Sequence, residues 1–169
     1  MSHAVPPTDG CTLALETSSR RGGIALGRGD AILASRELPS LMGHAAALLP
    51  AIDELCRSCA VEPAAIDRVF VSAGPGSFTG LRIGITVAKM LAFGGRAAVV
   101  AVPSMRVISR NALQISAPPV HVAVTLDAHR DSVYGCLLRL GNGDYEPLTE
   151  PAELSPAAWT TSLPADAVL

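Results

Sequence analysis

Residues 69–95 constrain the fold of this chain more than any other segment. Residues 69–73 are uncharged and rich in β-branched and aromatic side chains, which is typical of a strand buried on both faces. Residues 74–80 contain three glycines and a proline, a composition that excludes regular structure. Residues 81–93 are mostly apolar and are followed by two glycines, a common helix end. The sequence therefore predicts a strand, a glycine-rich loop and a helix in direct succession.

A loop that opens a helix can bind anions, because the first N–H groups of a helix have no partner within it and the helix dipole is positive there. The spacing of Gly74, Gly76 and Gly80 nevertheless fits neither common phosphate motif. A Walker A loop needs a lysine after its last glycine, and a dinucleotide loop has one residue fewer. The local pattern leaves two interpretations open, a tight turn without ligand and an anion site.

Two further features of this loop favour a structural role. Pro75 has no N–H to offer a phosphate, and no lysine follows Gly80. Phe78 is a large apolar side chain in a short polar loop, which suits contact with another protein surface. We therefore expect the loop to set backbone shape and to contact a partner, with phosphate binding secondary.

Composition limits the classes of function. A chain of 169 residues with 49% hydrophobic residues can bury one good core or two small lobes. The net charge is −2 and the basic residues are scattered, which argues against stand-alone binding of nucleic acid. No apolar run is long enough to span a membrane, and the first ten residues lack the pattern of a signal peptide, so we expect a cytoplasmic protein.

The four cysteines are expected to be free thiols in a reducing cytosol. Cys56 and Cys59 form a C-x-x-C pair, but the pair falls late in a helical pattern, whereas a thioredoxin-type pair opens a helix. No further ligands follow at zinc-site spacing. The pattern favours small buried residues.

Two helices carry more apolar surface than one small sheet can cover. The pattern over residues 40–60 has a heptad-like stripe, with Pro50 predicted to kink the helix, and the helix over 81–93 is apolar nearly all round. A partner subunit, or a second copy in a homodimer, would cover the remainder. The predicted interface residues are Leu41, His44, Ala45, Leu48, Ile52, Phe78, Leu81, Ile85, Val87 and Met90.

The rest of the chain alternates strands and helices. Strands are predicted over 11–15, 24–27, 31–38, 97–102, 120–126 and 132–140, with a helix over 104–115. The alternation over 69–115 favours parallel pairing. Residues 141–144 are predicted to close a hairpin, and residues 118–119 to mark a lobe junction. The tail from residue 145 shows little periodicity.

Three stretches resemble the bacterial TsaB family, formerly called YeaZ and labelled glycoprotease-like. Residues 71–84, VSAGPGSFTGLRIG, are similar to its signature without a gap, and LALETS at 13–18 resembles its first strand and turn. LDAHRDSVY at 126–134 resembles its DARRGEVY segment, with departures. The resemblance runs from about Cys11 to about Trp159.

The resemblance implies an α/β fold of the actin/Hsp70/sugar-kinase type, ribonuclease H-like and two-lobed. On that basis we expect a flexible tail over 1–10, an N-terminal lobe over 11–117 and a partial, shortened C-terminal lobe over 118–169. In this fold the turn after the first strand faces the nucleotide phosphates. The candidate phosphate contacts are Glu16, Thr17, Ser18, Gly74, Gly76, Ser77, Thr79 and Gly80.

The resemblance also implies the function. TsaB pairs with the catalytic subunit TsaD and a P-loop ATPase, TsaE, to form threonylcarbamoyladenosine at position 37 of tRNAs. We therefore expect a non-catalytic partner subunit that needs no cofactor of its own, with ATP or ADP and magnesium bound only in the complex. No stand-alone tRNA binding is expected.

Catalytic chemistry is not visible in the sequence. The histidines His3, His44, His121 and His129 do not form the H-x-x-x-H pair that holds a metal in TsaD, and H-E-x-x-H is absent. Active phosphotransferases of this fold carry an aspartate where this chain has Glu16, although Glu16 and Asp127 could face a shared cleft. Two alternatives stay open, an ATPase or small-molecule kinase of the same fold and a glycoprotease; we expect neither catalytic residues nor a metal site.

Overall fold

The structure is a computed structural model that describes residues 10–38 and 44–169, and for residues 44 and 45 it describes the backbone alone. The chain forms two compact units. The first comprises residues up to 73 with 77–102, and the second comprises 74–76 with 103–169. The division falls after Val102, earlier than the junction predicted at residues 118–119, because the helix that begins at Ser104 packs against strands of the second unit.

The first unit contains a five-stranded mixed sheet. Its strands are β1 (Cys11–Glu16), β2 (Gly22–Arg28), β3 (Ala31–Leu38), β4 (Ile66–Ser72) and β5 (Ala98–Val102), in the order β3-β2-β1-β4-β5. Short turns make β1, β2 and β3 antiparallel, whereas helical crossovers make β4 parallel to both β1 and β5. The predicted parallel pairing is confirmed.

Two helices cover this sheet, α1 (His44–Ser58) and α2 (Phe78–Gly94). Helix α1 continues through Pro50, and residues 39–43, where its start was predicted, lie outside the described residues. Helix α2 begins three residues earlier than predicted, because the Ser77 hydroxyl caps it by accepting a hydrogen bond from the Gly80 N–H at 3.2 Å. Phe78 therefore lies in the first turn of the helix.

The core of the first unit forms between the inward faces of the strands and these two helices. Alternate residues of β1 and β2 are buried, as their period-two apolar pattern requires. The fully or almost fully buried side chains include Leu13, Leu26, Leu48, Val69 and Ala88. Both helices contribute their apolar stripes to this one core.

The second unit is built on another five-stranded sheet. Its elements are α3 (Ser104–Ser109), which continues as a 3₁₀ turn (Arg110–Gln114), then β6 (His121–His129), β7 (Ser132–Gly141), β8 (Asp144–Pro147), β9 (Ala152–Leu154), α4 (Pro156–Ser162) and β10 (Ala167–Val168). The order is β10-β6-β7-β8, with β9 also paired to β7. The elements after residue 147 were not predicted, because their apolar patterns are short.

Trp159 fastens α4 to this sheet. Its side chain is buried and its indole N–H donates to the Thr125 hydroxyl at 2.7 Å. A methyl group on Gly135, the cross-strand partner of Thr125, would lie 2.6 Å from the indole ring. The ring therefore packs against a strand position that only glycine can fill.

Asp144 ties α3 to the β7–β8 hairpin. Its carboxylate accepts hydrogen bonds from Arg106 at 3.1 Å, from Arg110 at 3.0 Å and from the Tyr145 N–H at 2.8 Å. Burial alone would raise the pKa of Asp144, but these hydrogen bonds and the two arginine charges lower it below its ordinary value. The turn itself has Asn142 and Gly143 at positive φ, which confirms the hairpin predicted over 141–144.

The β6–β7 hairpin is tighter than predicted. His129 pairs with Ser132, so Arg130 and Asp131 alone connect the strands, with φ of 51° and 60°. Such a turn normally takes Asn-Gly, so these two residues are held in an unfavourable backbone region. Within the described residues, no helix is long and apolar enough to cross a membrane.

Candidate functional site

The candidate site of the first unit lies where β1 and β4 end. These parallel strands are neighbours, so the turn after β1 and the start of α2 meet at the carboxyl edge of the sheet. The Thr17 hydroxyl donates to the Gly80 carbonyl at 2.8 Å, and the Ser77 N–H donates to the Ser18 carbonyl at 2.6 Å. The turn after β1 is therefore fastened directly to the first turn of α2.

The Glu16 carboxylate accepts hydrogen bonds at the same edge of the sheet. One carboxylate oxygen accepts hydrogen bonds from the Ser18 N–H and hydroxyl, both at 2.6 Å, and the other accepts from the Ser72 hydroxyl. Ser18 and Ser72 are both buried. A carboxylate in this position joins the end of β1 to the end of β4, and its oxygens are engaged by donors of the chain itself.

Helix α2 approaches β1 and β4 unusually closely at Gly84. A Cβ atom built there would lie 2.4 Å from the Thr17 hydroxyl oxygen and 3.4 Å from a methyl carbon of Val71. Thr17 is completely buried, and its hydroxyl is held by the bond to Gly80. The glycine at 84 is therefore required by space between helix and sheet, which the sequence pattern did not reveal.

In the second unit, Ser104 holds Gly74. The Gly74 N–H donates to the Ser104 hydroxyl at 3.1 Å, and the Ser104 N–H donates to the Gly74 carbonyl at 2.9 Å. Gly74 has a φ of 101°, which favours glycine, and its bond to Pro75 is cis. Ser104 is fully buried. The sequence indicated Ser104 only as a helix start, and its contact thirty residues away has no local signal.

Four backbone donors that a phosphate could use are engaged within the chain. The backbone N–H groups of Ser18, Gly74, Ser77 and Gly80 each donate to an oxygen of the protein. A phosphate that contacts any one of these N–H groups would have to replace its bond. The phosphate contacts and the expected structural role of the loop both stay predictions.

The outer face of α2 carries exposed apolar side chains. Phe78 is 72% exposed, Met90 56% and Phe93 96%. At 100° per residue these three fall within a sector of about 120°. The Arg82 guanidinium lies over the Phe78 ring, 5.1 Å from its centre. Phe93 is the most exposed of the three, although the predicted interface did not include it.

Burial corrects the predicted interface at three positions. Leu48, Ile52 and Val87 lie in the core of the first unit, because α1 and α2 both turn these side chains toward the sheet. They cannot reach a partner without opening that core. Leu81 and Ile85 are half-buried, while Leu41 and the side chains of His44 and Ala45 lie outside the described residues. The remaining interface residues stay a prediction.

Histidines and carboxylates of the described ranges do not converge. Among residues 10–38 and 44–169 no group of three or more histidines, cysteines or acidic residues is arranged to hold a metal. His121 bonds to Asp166 at 2.7 Å, which lowers the pKa of that carboxyl, and His129 is exposed. Glu16 and Asp127 belong to different units, and their shared cleft stays a prediction.

The known proteins to which this chain is similar agree with one another in family. The family TsaD, described as tRNA N6-adenosine threonylcarbamoyltransferase, matches residues 39–166. The tRNA threonylcarbamoyladenosine biosynthesis protein TsaB of Bacillus subtilis is 32% identical over 151 residues, which cover 89% of this chain and 65% of that protein. The protein of the same name from Haemophilus influenzae is 32% identical over 127 residues, covering 72% of this chain and 51% of that protein.

A solved structure agrees with these sequence matches. YeaZ from Pseudomonas aeruginosa superposes with a TM-score of 0.80 at 31% identity, covering 87% of this chain and 68% of that one. The chain thus spans about two thirds of the length of the Bacillus subtilis relative and of this structure, and about half of the Haemophilus influenzae relative.

Proposed function

The chain belongs to the TsaB (YeaZ) family and has its actin-like, two-lobed α/β fold, and from that premise we propose that it is a non-catalytic subunit in the formation of N6-threonylcarbamoyladenosine in tRNA. Its proposed partner is a TsaD-like catalytic subunit, with a TsaE-like P-loop ATPase joining the complex. In the absence of these partners the chain forms a homodimer. The complex acts in the cytoplasm, where it meets its tRNA.

The exposed apolar face of α2 is the observation that carries this proposal. Phe78, Met90 and Phe93 present large apolar side chains on one face of a helix whose opposite face already serves the core. Large exposed apolar side chains on one face are typical of protein interfaces, and here Arg82 and Lys89 lie among them on the same face. This face is the proposed contact with the partner.

The edge of the sheet supports the non-catalytic part of the proposal. In a phosphotransferase of this fold the acid after β1 must be able to act on a metal-bound water. Here Glu16 accepts three hydrogen bonds from Ser18 and Ser72, and the N–H groups nearby are engaged. We propose that this chain requires no cofactor of its own, and that ATP or ADP with magnesium binds only in the complex.

Co-purification tests the partnership. The tagged chain should retain the TsaD-like protein of the same organism, and Phe93→Ala should weaken the pairing roughly tenfold or more if Phe93 is a buried anchor. Leu148→Ala is the matched control, since Leu148 is an exposed apolar residue of the second unit, 50% accessible. Failure to retain the TsaD-like protein, or equal effects of the two variants, would contradict the proposal.

The kinase-like alternative has a separate test. Calorimetric titration of the isolated chain with ATP and magnesium should show no binding, and the purified chain should neither hydrolyse ATP nor modify tRNA. ATP turnover that disappears in Glu16→Ala would move the ATPase alternative ahead. The glycoprotease alternative would require zinc-dependent peptide cleavage.

A further inference from the structure

The last turn of α1 departs from regular helical geometry. The Cys59 N–H is shared between the Leu55 carbonyl at 3.3 Å and the Cys56 carbonyl at 3.2 Å. The Ala60 N–H then bonds to the Arg57 carbonyl at 3.1 Å, and Ala60 has a φ of 52°. The Val61 N–H also bonds to the Cys56 carbonyl at 2.9 Å, so the helix ends in a Schellman cap with Ala60 in the left-handed region.

The two cysteines of the C-x-x-C pair lie three residues apart, directly before this cap. Side chains three residues apart are neighbours on one face of a helix. The Cys56 side chain is 1% exposed, while Cys59 is partly exposed and packs against the same core. One thiol is therefore reachable from solvent and the other is buried in the same core cluster.

A third thiol lies nearby but is held in place. Burial, followed by the proximity of Cys11 and Cys59, raises the pKa of the Cys56 thiol. Cys11 is part of β1, paired with Arg28 on one side and Ile66 on the other, and its N–H donates to Asp67 at 2.8 Å. The end of α1 has no such strand pairing, so small movements are easier for Cys56 and Cys59 than for Cys11.

We propose that Cys56 and Cys59 are a redox-sensitive pair that forms a reversible disulfide when the protein meets a peroxide. Hydrogen peroxide oxidises the accessible Cys59 thiol to a sulfenic acid and releases water. The Cys56 thiol then attacks the Cys59 sulfur and gives up its proton as the S–S bond forms, and the hydroxyl group leaves with that proton as a second water. Two thiols and one peroxide give one disulfide and two waters, and a dithiol reductant restores the starting state.

The disulfide would restrict the motion of the last turn of α1, because it joins the exposed end of the helix to a side chain of the core. The inference is independent of the proposed function, because it depends only on the two thiols and the turn between them. The buried Cys136 of the second unit, 1% exposed, has no second cysteine in its core cluster.

Tryptic mapping tests the pair directly, because Arg57 lies between the two cysteines. Trypsin places Cys56 on the peptide 37–57, Cys59 on 58–68, Cys11 on 1–20 and Cys136 on 131–139. After peroxide treatment the intact chain should lose about 2 Da, and peptides 37–57 and 58–68 should be recovered linked until the sample is reduced.

Variants separate the assignment from non-specific oxidation. Cys59→Ser and Cys56→Ala should each abolish the linked peptides, while Cys136→Ala and Cys11→Ala should leave them unchanged. A link that includes peptide 1–20, a link between two chains, or gain of oxygen on Cys59 without a link would overturn the proposal.

Discussion

Replacing Gly84 with alanine probes the closest approach of helix and sheet in the first unit. The added methyl carbon would lie 2.4 Å from the Thr17 hydroxyl oxygen, well inside any normal contact. Thr17 cannot simply rotate away, because it is completely buried and its hydroxyl donates to the Gly80 carbonyl at 2.8 Å. The substitution must therefore displace either that hydroxyl or the helix.

The expected change in the free energy of unfolding combines two costs and one gain. Losing the Thr17–Gly80 bond and leaving the buried Thr17 hydroxyl without its acceptor costs about 1–3 kcal/mol. Strain from an extra methyl group in a packed core costs about 1–3 kcal/mol. The higher helix propensity of alanine returns about 1 kcal/mol. We expect Gly84→Ala to lower the free energy of unfolding by about 3 kcal/mol.

Urea denaturation followed by circular dichroism measures this loss. Gly94→Ala is the matched control in the same helix, since nothing lies within 4 Å of the added carbon, and it should be neutral or slightly stabilising. In a Thr17→Ala background the obstructing oxygen is absent and Gly84→Ala should become much less costly. A Gly84→Ala variant as stable as the unmodified protein, or the same cost with and without Thr17, would refute the reasoning.

Three further outcomes follow from contacts in the two units. Glu16→Ala should destabilise the first unit by about 2–4 kcal/mol in urea denaturation, because three donors lose their acceptor; unchanged stability would show that these hydrogen bonds are unimportant. Gly135→Ala should displace the single tryptophan, Trp159, and shift its fluorescence to the red, whereas Gly141→Ala on the same strand has open space and should not. The pKa of Asp144 is lower in the folded than in the unfolded protein, so the stability that Asp144 contributes is present above its unfolded pKa of about 4 and is lost as pH falls through the folded value. Asp144→Asn should therefore flatten the acid dependence of the melting temperature. An unchanged pH profile would count against the Asp144 contacts.

The sequence by itself determined the local elements and the family. Period-two burial in β1 and β2, the Asn-Gly hairpin and the strand–loop–helix unit all follow from patterns within ten residues or so of one another. Short turns and helical crossovers then define which strands are antiparallel and which parallel. The motif around the glycine loop was long enough to identify the family, which the comparisons confirmed.

Only the tertiary structure determined which apolar side chains of α1 and α2 are buried and which are exposed. The patterns of α1 and α2 offered more apolar residues than one face needs, and only packing on the sheet assigned Leu48, Ile52 and Val87 to the core while leaving Phe78 and Phe93 exposed. Periodicity gives the width of an apolar stripe, but it does not give the direction in which the helix faces.

The chemistry at the carboxyl edge of the sheet was likewise decided by distant contacts. A serine or glutamate in a turn has the same local pattern whether its donors are open to a ligand or engaged, yet Glu16 meets Ser72, Thr17 meets Gly80 and Gly74 meets Ser104 across 56, 63 and 30 residues. Hydrogen bonds require partners within about 3 Å in space. When the two partners are far apart in the chain, no local sequence pattern indicates the bond. For that reason the sequence could predict candidate contacts for a ligand, and only the folded chain showed that several of their donors and acceptors are engaged with one another.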